Sequence, residues 1–112
     1  MLAENAWEMI LRGIKGKIEI QTVPTVNRLP KWFAVLLIQD GNAISIEKAL
    51  HNKPSCSISV ERSLTFRDFE KVFPYFLQRK RGDSVSKLVT SRSYHQSYIY
   101  ALISHFVSFD KE

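Results

Sequence analysis

Between Arg79 and Gln96 the chain gathers the residue types that meet phosphate groups. Arg79, Lys80, Arg81, Lys87 and Arg92 are opposed there only by Asp83, and beyond Asp83 no carboxylate occurs until Asp110. Clustered ammonium and guanidinium groups attract a polyanion and release its counterions on contact. Ser93, His95 and Gln96, which follow directly, carry the hydroxyl, imidazole and amide groups that can donate to and accept from base edges. The chemistry this set implies is recognition of a nucleic acid, double-stranded DNA in the first instance, and no covalent step.

The same stretch resembles a helix-turn-helix. Thr65 to Arg81 would be the supporting helix, Ser84 to Val89 a short first helix, and a helix from Ser93 to about Val107 the reader, entering a groove with its amino end. Arg92, Ser93, His95 and Gln96 would then face bases, and Arg79, Lys80, Arg81 and Lys87 would hold phosphates. The connection Val89-Thr90-Ser91-Arg92 lacks the glycine many such turns have, and no alanine marks the usual small position. A plainer reading stands beside this one, in which the serine-bearing helix face is simply solvated and the cations suit the negative end of a helix dipole.

Catalytic constellations are sparse. Glu19 and Gln21 fall on one face of a strand, a spacing reminiscent of the metal-binding strand of restriction-type nucleases. No Asp precedes Glu19, however, Gln21 stands where lysine is usual, and Asp40 would have to come from another hairpin. Cys56 on an alternating segment reads as a small apolar residue, and His51, His95 and His105 lack the spacing of a zinc site. With four glycines in the chain, no loop cradles a nucleotide phosphate. The residue inventory therefore argues against an enzyme and implies no metal and no small-molecule cofactor.

The elements that must position these groups read as an α+β chain. Ala3 to Ile14 has helical spacing at Ala6, Trp7, Ile10, Leu11 and Ile14, with Gly13 and Gly16 closing it. Lys17 to Val23 alternates as a strand until Pro24, and Thr25 to Lys31 is an extended loop between two prolines. Trp32 to Gln39 is continuously apolar and predicts a central strand, turned at Asp40-Gly41-Asn42 into a shorter strand at Ala43 to Ile46. After a polar excursion over Glu47 to Ser55, Cys56 to Arg62 alternates again and predicts a fourth strand, completing a small antiparallel meander over about 17–62.

The C-terminal helical unit, about 65–108, begins with Thr65 and Asp68 arranged as a capping box. Phe66, Phe69, Val72, Phe73, Phe76 and Leu77 then share one helical face, Pro74 should kink or break the helix, and Gly82 should end it. In the last helix Tyr94, Tyr98, Leu102 and Phe106 stack at four-residue steps, widened by Ile99 and Ile103, while Ser93, Ser97, Tyr100 and Ser104 form a polar back with Tyr100 facing outward.

At 112 residues, 45% of them hydrophobic and 12% aromatic, the expectation is one domain over 1–112. The formal charge of +5 favours acidic partners without determining the fold. No apolar run reaches the length of a membrane span, and the single cysteine cannot form an internal disulfide, so no membrane role and a cytoplasmic, reducing setting are expected. A second function class is open to the same residues: a protein-interaction or homo-oligomerisation module, possible homodimer included, whose sheet edge or aromatic patch is the working surface and which has no nucleic-acid role.

Overall fold

The computed structural model describes residues 1–23, 29–80 and 96–109, with backbone alone for residues 79 and 80. The elements are helix α1 (Ala3–Gly13), strands β1 (Ile18–Gln21), β2 (Trp32–Ile38), β3 (Ala43–Lys48) and β4 (Arg62–Thr65), and helices α2 (Phe66–Lys80) and α3 (Gln96–Phe106). The strands form one antiparallel sheet in the order β1-β2-β3-β4. This is the α+β class and the meander read from the sequence.

Register explains why β2 is central and apolar. Its inward residues Phe33 and Val35 pair with Ile20 and Ile18 on one side, and Val35 and Leu37 pair with Ile46 and Ile44 on the other. Ile44 in turn pairs with Leu64. Because side chains alternate across a strand, these residues share one face, and the helices lie on it. Ala6, Trp7 and Ile10 of α1, Phe69, Val72 and Phe73 of α2, and Ile99, Leu102 and Ile103 of α3 join them in a single buried cluster. Trp7 is tilted against Phe69 with ring centroids 5.2 Å apart, and Phe33 meets the Tyr98 ring edge-on at 5.0 Å.

The hairpin between β2 and β3 turns through three residues with positive φ, Gln39 at 53°, Asp40 at 57° and Gly41 at 84°, and the Asn42 N–H donates to the Gln39 carbonyl at 3.1 Å. A left-handed turn matches the right-handed twist of the strands it joins. Gly41 takes the third position with no cost from a Cβ.

Three expectations need correction. The fourth strand does not run over Cys56 to Arg62; it occupies Arg62–Thr65. Beside Trp32 the ladder position is filled by a parallel bridge from Ser55, with the Trp32 N–H donating to Pro54 O and the Cys56 N–H donating to Trp32 O, both at 2.8 Å. The alternating residues beyond it then cross to the far side of β3, where Ile58 is buried but Val60 is 72% exposed.

Pro74 neither breaks α2 nor ends it, since the helix continues to Lys80 around it. The Thr65 corner is as expected, with the backbone N–H and hydroxyl of Thr65 both donating to Asp68 Oδ2, at 3.2 and 3.1 Å.

Tyr100 does not face outward. It is buried and meets Phe76 edge-on at 5.3 Å, because α3 is held between the sheet on its Tyr98 side and α2 on its Tyr100 side. Ser97 and Ser104 are exposed as expected. The predicted short helix at Ser84 to Val89 and the Gly82 terminus lie outside the described residues.

Candidate nucleic-acid interface

Of the residues assigned to phosphates and bases, Arg79 and Lys80 close the last turn of α2 and Gln96 opens α3, where it is half-buried. Arg81, Lys87, Arg92, Ser93 and His95 lie outside the described residues. Two cations outside that predicted set lie on the sheet face that Tyr98 of α3 packs against: Arg62, which acts on Tyr98, and Lys48, cross-strand from Phe33.

Their placement follows from register. Lys48 pairs with Phe33 and Arg62 pairs with Ile46, so both side chains leave from the helix-bearing face at the end of the sheet over which Tyr98 packs. Both are exposed, and among the described residues neither enters a salt bridge. Burial raises the pKa of the Tyr98 hydroxyl, Cys56 adds to that rise, and the Arg62 guanidinium opposes it. Arg62 thus acts electrostatically on Tyr98, in the first described turn of α3. Arg62 ends a predicted strand and Lys48 falls in a polar excursion, so the only sequence signal for their convergence is a face assignment that requires the correct strand boundaries.

The acidic candidate has a different occupation. Glu19 sits on the sheet face away from the helices and grips the loop that follows β3. Its Oε2 accepts from the backbone N–H of Leu50 at 2.9 Å and of His51 at 3.0 Å, and its Oε1 from the backbone N–H of Asn52 at 2.9 Å and the Asn52 side-chain amide at 2.8 Å. Desolvation works against the charge, but these donors together outweigh it and lower the pKa to about 2. Both oxygens are therefore committed to holding a loop. Asp40 is in the turn six residues beyond Ala34, the partner of Glu19, roughly 20 Å away at the rise of a strand. Among the described residues no three His, Cys, Asp or Glu side chains gather as a metal-binding group.

Glu47, on the same face, pairs with the Lys17 ammonium at 2.7 Å and accepts from the Ser45 hydroxyl at 3.2 Å. The Lys17 contact is the main reason its pKa is lowered, with partial burial opposing and Ser45 assisting. Burial pushes the Cys56 thiol up, against a weaker pull from Lys31, which leaves the protonated, unreactive form dominant at neutral pH.

No protein-family model, no curated protein and no solved structure matches the chain. No helix among the described residues is long and apolar enough to cross a membrane.

Proposed function

We propose that the chain is a small nucleic-acid-binding module, acting on double-stranded DNA through the amino end of α3 and the basic stretch that precedes it. The supporting observation is that Arg62, which acts on Tyr98 of α3, and Lys48, cross-strand from the Phe33 that meets the Tyr98 ring, leave one sheet face without carboxylate partners among the described residues. They add to the charge that Arg79, Lys80, Arg81, Lys87 and Arg92 supply along the sequence. Phosphate contacts from these groups would give affinity and orientation, and Ser93, His95 and Gln96 would supply any preference among bases.

The test is titration of a labelled duplex at rising salt, comparing the native chain with Lys80→Ala/Arg81→Ala/Arg92→Ala. Binding through phosphates makes log affinity fall linearly with log salt, by about 0.9 per phosphate neutralised. The expected result is steep salt dependence in the native chain and loss of binding in a triple variant that keeps its circular dichroism. Unchanged affinity in the variant would remove the proposal.

A second reading is favoured by a separate observation. Trp32, Leu36 and Ile38 alternate onto the sheet face opposite the helices, half-buried and outside the main cluster. An interaction module working through that face would ignore DNA at moderate salt, so the same titration discriminates the two.

A further inference from the structure

The outer edge of β1, unpaired among the described residues, has a hydrogen-bonding pattern complementary to itself. The Thr22 N–H donates to Lys31 O at 2.8 Å, which makes Thr22 and Lys31 a hydrogen-bonded pair. In an antiparallel ladder such pairs alternate, so Ile20 with Phe33 and Ile18 with Val35 also bond across β1 and β2. Glu19 with Ala34 and Gln21 with Trp32 do not. Trp32 confirms the phase, since its N–H and carbonyl are used on its other side by Pro54 and Cys56. The backbone N–H and C=O of Glu19 and of Gln21 consequently point away from the sheet, and among the described residues nothing receives them.

Alongside this edge runs a groove of about 390 Å³, bounded by Ile20, Gln21, Thr22 and Val23 on the strand side and by Ala101, Ser104 and His105 on α3. Ala101 and Ser104 leave room there for the side chains of an added strand, and the exposed His105 stands beside them. We infer that the occupant is β1 of a second copy of this chain, paired antiparallel about a two-fold axis through Ile20.

In that register Glu19 faces Gln21 of the other copy, and both outward pairs of backbone groups are matched twice over. Shifting the axis to Glu19 would set two carboxylates directly opposite each other, which like charges disfavour. Shifting it to Gln21 would match the Glu19 groups with Val23, beyond the end of the strand. The two four-stranded sheets would become one continuous sheet, and a short exposed edge would be covered. This holds whether or not the chain binds nucleic acid, because β1 lies at the opposite edge of the sheet from β4, which carries Arg62.

The test is sedimentation equilibrium of the full chain up to about 1 mM, where even weak association is populated. Gln21→Pro removes an outward N–H while leaving the bonds between β1 and β2 in place, and proline is tolerated at such an edge position. The expected result is a native dimer and a folded, monomeric Gln21→Pro variant. Gln21→Lys, placed opposite Glu19 of the other copy, should tighten association by about two- to fivefold, and Gln21→Glu should weaken it by a similar factor. If the proline variant does not fold, this charge pair decides alone. A native chain that stays monomeric, a folded proline variant that still dimerises, or lysine and glutamate variants that shift association in the same direction would each overturn the inference.

Discussion

Gly13, the last residue of α1, lies directly under the ring of Phe106 at the end of α3. A methyl group on its Cα would stand 2.8 Å from Cε1 and closer still to Cδ1, inside any normal carbon contact. Alanine at this position would gain up to about 1 kcal/mol in helix propensity, but only by displacing the ring that joins the two helices. Gly13→Ala is expected to destabilise the protein by roughly 1–3 kcal/mol, read as a lower urea midpoint. A midpoint equal to or above the native one would show that the contact carries no weight.

The Glu19 clasp makes a pH prediction with a definite sign. Its folded-state pKa is about 2 against an ordinary value of 4.5, so its contribution is fully present above the unfolded-state value and fades as pH falls through 4.5 toward 2. Glu19→Gln cannot accept at both oxygens and presents an amide to backbone donors. It should lower the urea midpoint at neutral pH and show a flatter decline between pH 4.5 and 2. Parallel pH profiles for the two proteins would refute the clasp.

Pro74 lies in the interior of α2, on its exposed side. Its ring removes the hydrogen bond to the carbonyl four residues earlier and crowds that turn. Since an exposed site holds little packing to sacrifice, Pro74→Ala should raise stability by about 1–3 kcal/mol, visible as a higher thermal midpoint. A lower one would mean that the ring is packed against something that matters more than the missing bond.

If duplex DNA meets the amino end of α3, Lys48→Ala/Arg62→Ala should weaken binding across unrelated sequences to a similar extent. The salt slope should become shallower by about one unit for each phosphate that is no longer neutralised. Both side chains are exposed and free of ion pairs among the described residues, so stability should change by less than about 0.5 kcal/mol. Unaltered affinity and slope would exclude them from the surface.

The sheet was legible because its signals are local. Alternation over Ile18 to Gln21, the unbroken apolar run of Trp32 to Ile38 and the Asp-Gly turn each reflect the geometry of a few neighbouring residues. The alternation over Cys56 to Arg62 does not become a strand because of a competition no local pattern reports. The slot beside Trp32 was already filled by Pro54–Cys56, so an alternating segment was left as a connection and pairing resumed only at Arg62.

Tyr100 departs from its sequence pattern for a related reason. Its serine neighbours suggested a wet face, whereas Phe76 of α2 covers that side of α3. The convergence of Lys48 and Arg62, and the Glu19 clasp on a loop more than thirty residues away, depend on strand register. Composition and spacing along a single chain do not determine that.

Thr65 ends β4 and Phe66 begins α2 with no residue between them. One amino acid inserted at this junction would turn the helix by about 100° about its axis, swinging Phe69 and Phe73 out of the core and offering its charged flank in their place. The seam allows no slack, so the chain length here is fixed as strictly as any side chain in the interior.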